Sequence, residues 1–158
     1  MALCADGVVL SSAMEKAERG TRAFGLIESA LAGAHWEREQ IECLAVGLGP
    51  GSYTGIRAAI ALAQGWQLAC GVKLLGISSV ECLAAEAHAQ GWSGPVSLVI
   101  DAQRNELYLA RYEISAAGCR EIAPLKLAAL EEVRTQLASG EIIAGRTGRP
   151  GAVRRAAS

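Results

Sequence analysis

Gly47-Leu48-Gly49-Pro50-Gly51-Ser52-Tyr53-Thr54-Gly55-Ile56-Arg57 joins an apolar strand-like run, Ile41 to Val46, to a long alanine-rich segment. Four glycines, a proline and two aliphatic hydroxyls in so short a run specify a loop with a fixed backbone path. Glycine reaches positive φ and admits close approach, and proline fixes φ and removes a donor. A helix opening directly after such a loop would aim its free N–H groups and positive dipole end into it. Two phosphate motifs fail on this stretch. A Walker A loop needs a lysine, and none lies between Arg38 and Lys73. A GxGxxG fingerprint would place its third glycine at Ser52 or Thr54, and no acid stands between Glu42 and Glu81 to hold a ribose. The residues alone leave two readings: a tight strand-to-helix turn capped by Ser52 or Thr54, or a loop touching phosphate.

Outward from the loop, strands and helices alternate. Met1 to Cys4 and Val8 to Ser12 read as strands around the hairpin signal Ala5-Asp6-Gly7. Thr21 to Ala34 reads as a helix, with Ala23, Phe24, Leu26, Ile27, Ala30, Leu31 and Ala34 on one apolar face. Ile41 to Leu48 is a strand, Tyr53 to Cys70 a helix and Lys73 to Ile77 a strand. Ser78 and Glu81 have capping-box spacing and start a helix that runs to about Ala89. Gln90-Gly91-Trp92-Ser93-Gly94-Pro95 reads as a linker. Beyond it, Val96 to Ile100 and Leu107 to Ile114 flank the polar turn Asp101 to Glu106. Glu121 to Leu127 reads as a strand, Leu130 to Leu137 as a helix and Glu141 to Ala144 as a strand. This order implies an α/β fold whose opening hairpin makes its sheet mixed. The expected organisation is a first lobe over 1–92, a partial second lobe over 93–145 and a basic, disordered tail over 146–158.

Three separated motifs sharpen this picture. Gly49 to Arg57, then Gly76-Ile77-Ser78-Ser79-Val80-Glu81-Cys82-Leu83-Ala84, then Asp101-Ala102-Gln103-Arg104-Asn105-Glu106-Leu107-Tyr108 resemble, in this order, the bacterial TsaB (YeaZ) family. The resemblance covers most of residues 1 to 145. It implies an acetate kinase/Hsp70/actin-like (ribonuclease H-like) fold of two small lobes. It also implies a role in the machinery that installs threonylcarbamoyladenosine on tRNA beside the anticodon. In that family TsaB is a non-catalytic scaffold for TsaD, which carries the metal and the chemistry. The expectation is therefore an accessory subunit without activity or cofactor of its own, with ATP and a metal on the partner subunits. Expected partners are a TsaD-like catalytic subunit and a TsaE-like ATPase, with tRNA reached only indirectly and no membrane. Relative to the family the chain reads as shortened at both ends, which would leave an unpaired sheet edge.

Composition agrees with a soluble, cytoplasmic partner protein. The chain has 158 residues, is 51% hydrophobic with much of that alanine, and carries a net charge of −1. No apolar run approaches the ~20 residues of a membrane span, and Met1 to Asp6 lacks the pattern of a signal peptide. Five widely spaced cysteines without a CxxC pair argue against a disulfide framework or a zinc site. His35 and His88 have no second His or Cys at ligand spacing. The balanced charge lacks a basic footprint outside the tail, where Arg146, Arg149, Arg154 and Arg155 stand without an acid and could reach RNA phosphates, although a terminus with so little to bury reads first as disordered. Asp101, Arg104 and Glu106 form a polar cluster that reads as a solvated turn with local ion pairs.

The two early helices carry the partner reading. On Tyr53 to Cys70 the polar positions Arg57, Gln64 and Gln67 fill one sector, and nearly everything else is apolar or small. An ordinary surface helix has a broad polar face, so this one is expected to be covered on more than one side. Thr21 to Ala34 presents Gly25, Ser29 and Ala32 opposite its apolar face, small enough for close backbone approach. The resemblance assigns pairing with TsaD, and self-pairing in its absence, to these same helices. The expected interface residues are Arg22, Gly25, Ser29, Ala32, Ile56, Ala59, Ile60, Ala63 and Gln67. The loop residues Gly49, Pro50, Gly51, Ser52, Thr54, Gly55 and Arg57 are the candidates for phosphate contact. They would serve the alternative reading, a nucleotide-binding phosphotransferase or ATPase of the same superfamily.

Overall fold

The computed structural model describes residues 1–14, 23–103, 106–138, 142–146 and 154–155. β1 (Ala2–Ala5) and β2 (Val8–Ser12) form an antiparallel ribbon. Its turn, Asp6-Gly7, has φ of 49° and 76°, the two positive angles that a type I′ hairpin demands. α1 (Ala23–Ala34) follows and buries Ile27, Ala30 and Leu31. Phe24, expected on that core face, is instead 72% exposed. Thr21 and Arg22 lie outside the described residues.

His35 ends α1. Its φ is 55°, its N–H donates to the Ala32 carbonyl at 3.2 Å, and the Trp36 N–H donates to the Leu31 carbonyl at 3.0 Å. These bonds make a Schellman stop with histidine where glycine is usual. A 3-10 turn, Arg38–Gln40, leads to β3 (Cys43–Gly49). α2 then spans Tyr53–Cys70, the range that its composition predicts. β4 (Lys73–Ser78) pairs with β3 as a second two-stranded sheet, separate from the β1–β2 ribbon. The single mixed sheet expected for this part of the chain is thus divided: no ladder joins the two ribbons among the described residues.

α3 (Ser79–Ala89) begins with the capping box that the Ser78–Glu81 spacing predicts. The Ser78 N–H donates to Glu81 Oε2 at 2.9 Å, and Ser78 Oγ accepts from the Val80 N–H at 3.3 Å. The helix closes on another Schellman stop at Gly91, whose φ is 77°, with the Trp92 N–H on the Ala87 carbonyl at 3.1 Å. A meander of β5 (Gly94–Gln103), β6 (Glu106–Ser115) and β7 (Gly118–Ala129) follows. After α4 (Leu130–Ala138), β8 (Ile142–Arg146) adds parallel to β5 and β9 (Arg154–Arg155) antiparallel to β8. The sheet order is β7-β6-β5-β8-β9.

Two compact units result, Met1–Val46 with Tyr53–Gly76, and Gly47–Ser52 with Ile77–Ser158. The division between Gly76 and Ile77 corrects the boundary read at residue 92. α3 belongs to the second unit because Val80, Leu83, Ala84 and Ala87 pack on Val96, Leu98, Ile100, Ala110, Tyr112 and Ile114. Trp92, read as linker, packs against the same cluster, and Gly94 and Pro95 already belong to β5. On the other face Leu109 and Ala128 meet Val133 of α4. The 146–158 tail read as disordered also needs correction where it is described: Arg146 ends β8 and Arg154–Arg155 forms β9.

A non-glycine residue held at positive φ costs roughly 1 kcal/mol. His35→Gly should therefore raise stability by about 0.5–1 kcal/mol, and His35→Val should lower it by more than about 1 kcal/mol. Thermal or denaturant melts of both variants check the pair.

Candidate functional site

The glycine-rich loop divides into a strand end, a turn and a helix start. Gly49 closes β3 with φ 89° and is followed by a cis peptide to Pro50. Ser78 Oγ donates to the Gly49 carbonyl at 3.5 Å while capping α3. The loop is thus tied to the helix start that the second sequence motif encodes. Gly51 and Ser52 are exposed, and Ser52 directly precedes α2. Thr54, exposed, and Gly55, half-buried, lie within the first turn of that helix. Ser52 thus holds the position of an N-cap, whereas Thr54 is already helical.

Arg57 turns onto Tyr53, one turn earlier. Its guanidinium lies 5.3 Å from the ring centroid, and its Nη1 donates to the Tyr53 hydroxyl at 3.1 Å. Tyr53 is 73% exposed, so the pair stands at the surface. A cation on an exposed ring contributes about 0.5–1 kcal/mol.

The candidate partner surface lies within the first unit. Gly25, Ser29 and Ala32 are all exposed on α1, opposite the buried Ile27, Ala30 and Leu31. On α2, Ala59 and Gln67 are exposed and Ile56 and Ile60 half-buried. Ala63 must be removed from this set. It is 2% exposed and is the buried residue of α2, so a partner has no access to it. Arg22 lies outside the described residues. Most of α2 remains uncovered despite its apolar character, and Leu68 is 88% exposed.

One feature of this unit escaped the sequence. A cleft of about 390 Å³ is lined by Phe24 and Ile27 of α1 and by Leu62, Gly65, Trp66 and Ala69 of α2, with Arg38 and Cys70 beside them. Arg38 is ion-paired with Glu28 there. Trp66 Nε1 is closed off from solvent without a hydrogen-bond partner among the described residues. The only available signal was the nearly all-round apolar character of α2, which does not specify which side meets α1.

No group of three or more His, Cys, Asp or Glu gathers as for a metal among the described residues. His35 serves as a helix stop and His88 sits in the last turn of α3. Asp101 and Glu106 stand at strand ends, opposite Leu107 and Gln103, and Arg104 lies outside the described residues. The cysteines are all free. Cys119 Sγ lies 3.2 Å from the Ala84 carbonyl. No helix of the described residues is long and apolar enough to cross a membrane.

Comparison with known proteins meets this geometry. Residues 15–145 match the family model described as TsaD: tRNA N6-adenosine threonylcarbamoyltransferase. The tRNA threonylcarbamoyladenosine biosynthesis protein TsaB of Escherichia coli is 32% identical over 135 residues, covering 83% of this chain and 58% of that protein. The chain belongs to the TsaB/YeaZ family. TsaB of Bacillus subtilis is 28% identical over 109 residues, 69% of this chain and 47% of its own length. The solved structure of YeaZ from Pseudomonas aeruginosa superimposes with a TM-score of 0.71 at 25% identity, over 96% of this chain and 65% of that one. The expected acetate kinase/Hsp70/actin-like mixed α/β fold therefore stands. The chain spans about half the length of these curated TsaB relatives.

One buried titratable group stands out in the second unit. Burial, reinforced by the Glu121 and Glu81 carboxylates, pushes the Tyr112 phenol up to about 12, and its hydroxyl bonds Glu121 at 3.3 Å. An acid whose folded value exceeds its unfolded 10 contributes stability that is complete below pH 10 and is lost as pH rises toward 12. In the Tyr53→Phe/Tyr108→Phe background, ultraviolet titration should show one late phenol ionisation. Glu121→Gln should move it to lower pH.

Proposed function

We propose that this TsaB/YeaZ-family chain acts as a scaffold or activating subunit in the formation of threonylcarbamoyladenosine on tRNA, without chemistry of its own. It binds a TsaD-like catalytic subunit, and a TsaE-like ATPase joins that assembly. The same surface serves self-pairing when the catalytic subunit is absent. The observation that carries this reading is the exposed pair of helices in the first unit. α1 offers the small residues Gly25, Ser29 and Ala32 to solvent, and α2 leaves most of an apolar helix uncovered. Small side chains let a partner's backbone approach closely, so dispersion contacts accumulate over the surface. A standard interface needs about 800 Å² from each side, an area that two helices of 12 and 18 residues can supply. Metal and nucleotide would reside on the partners, consistent with a chain whose conspicuous surfaces are apolar.

In this reading the glycine-rich loop is structural. It ends β3, leads directly into α2, and is held from behind by Ser78. Ser52 and Thr54 then need no phosphate.

Light scattering on size-exclusion fractions should detect a stable heteromer when the chain is mixed with the TsaD-like protein of its own organism. Gly25→Leu and Ala59→Trp each place a large side chain at an exposed position. Each should weaken pairing at least about tenfold while leaving the melting curve of the isolated chain nearly unchanged. Pairing that survives both changes would move the interface elsewhere. Micromolar, magnesium-dependent nucleotide binding lost on Ser52→Ala would instead place the chain with the phosphotransferases of its superfamily.

A further inference from the structure

Charge is distributed unevenly along this chain. All sixteen acids and eleven of the fifteen basic residues precede Ile142, a net −5, whereas Arg146, Arg149, Arg154 and Arg155 follow it with no acid, a net +4. Sequence alone makes the basic stretch a solvated tail. The topology places part of it on the sheet. β8 ends at Arg146, and β9 pairs antiparallel with it, Gly145 opposite Arg154 and Ala144 opposite Arg155. β9 is the outermost strand in the order β7-β6-β5-β8-β9. Arg154 and Arg155 therefore occupy the edge strand, and Arg146 follows directly after the β8 residues that they pair with. At ordinary strand spacing their Cα atoms fall within roughly 10 Å of one another. The other residues of β8, Ile142 to Gly145, are uncharged. The nearest acid in register, Asp101, lies on the next strand inward, beside the Ile100 that faces Arg146.

We propose that this arginine edge is a direct contact site for the phosphate backbone of RNA. From the sequence, tRNA is reached indirectly, with this tail as the one stretch able to reach RNA phosphates. Arginine presents a planar fork of donors that matches phosphate oxygens and stays charged at any physiological pH. A β-ladder fixes the backbone positions of such residues, so less ordering remains to be done on binding than in a free tail. The choice of RNA over other polyanions rests on the tRNA-modification reading. An anionic membrane would satisfy the same charges, but membrane anchoring adds an apolar or amphipathic helical face, and this edge is a two-stranded ladder.

Fluorescence anisotropy with a labelled, unmodified tRNA transcript tests the site across a salt series. The intact chain should bind at low salt with a log–log salt slope of about −3, the value for three to four neutralised phosphates. The Arg146→Gln/Arg154→Gln/Arg155→Gln variant should lose at least about tenfold in affinity and most of that slope. The matching three-fold Arg→Lys variant keeps the charge, should bind nearly as the intact chain does, and covers the case in which the glutamine variant melts early. Absence of binding by the intact chain at low salt, or unchanged affinity in the glutamine variant, would overturn the site. Equal binding to phosphatidylglycerol vesicles would overturn it in favour of a membrane contact. Heteromer formation with the TsaD-like protein, measured on the same variants, fails only if the scaffold reading fails.

Discussion

Ser78 holds three things at once. Its backbone N–H is taken by Glu81, its hydroxyl oxygen accepts from the Val80 N–H, and the same hydroxyl donates to the Gly49 carbonyl. One side chain therefore starts α3 and restrains the loop that ends β3. An N-cap of this kind contributes about 1 kcal/mol, but its larger effect is geometric. It sets where α3 begins, and hence which residues, Val80, Leu83, Ala84 and Ala87, point at the sheet. The meander beneath can then bury Val96, Leu98 and Ile114 to 1% exposure or less.

The two units differ in how far they bury their apolar residues. In the second, α3 packs on one face of the sheet and α4 on the other, while Ile122, Leu125 and Leu127 of β7 stay partly exposed. In the first, Val8, Val9, Phe24, Leu68, Leu74 and Leu75 all remain substantially exposed. Apolar surface left in water is unfavourable by roughly 25 cal/mol per Å², and it can be covered only by another polypeptide or by further chain. The cleft described in the first unit is apolar apart from Arg38.

Much of the architecture was legible because it depends on neighbours in sequence. The ends of α2, the capping box at Ser78 and the type I′ turn at Asp6-Gly7 follow from rules that operate within a few residues. Phe24 reads from the sequence as core and Ala63 as partner surface, and the structure reverses both for one reason. Helical spacing groups residues by face but does not say which face meets protein and which meets water. Trp92 looked like linker because glycine and proline surround it, yet the Gly91 stop turns the chain so that its indole returns to the core. His35 shows the complementary limit: its positive φ was hidden because histidine, unlike glycine, does not advertise the left-handed region.

Taken alone, the sequence determined the element types, most of their boundaries, the α/β class and the family, since periodicity, caps and three ordered motifs are all local or linear signals. Only the tertiary structure decided that α3 belongs to the second unit, that the first part of the chain forms two ribbons instead of one sheet, and that Arg154 and Arg155 lie on a sheet edge. These are outcomes of long-range pairing and burial. They depend on which distant strand or face offers the complementary surface, and no window of neighbouring residues contains that information.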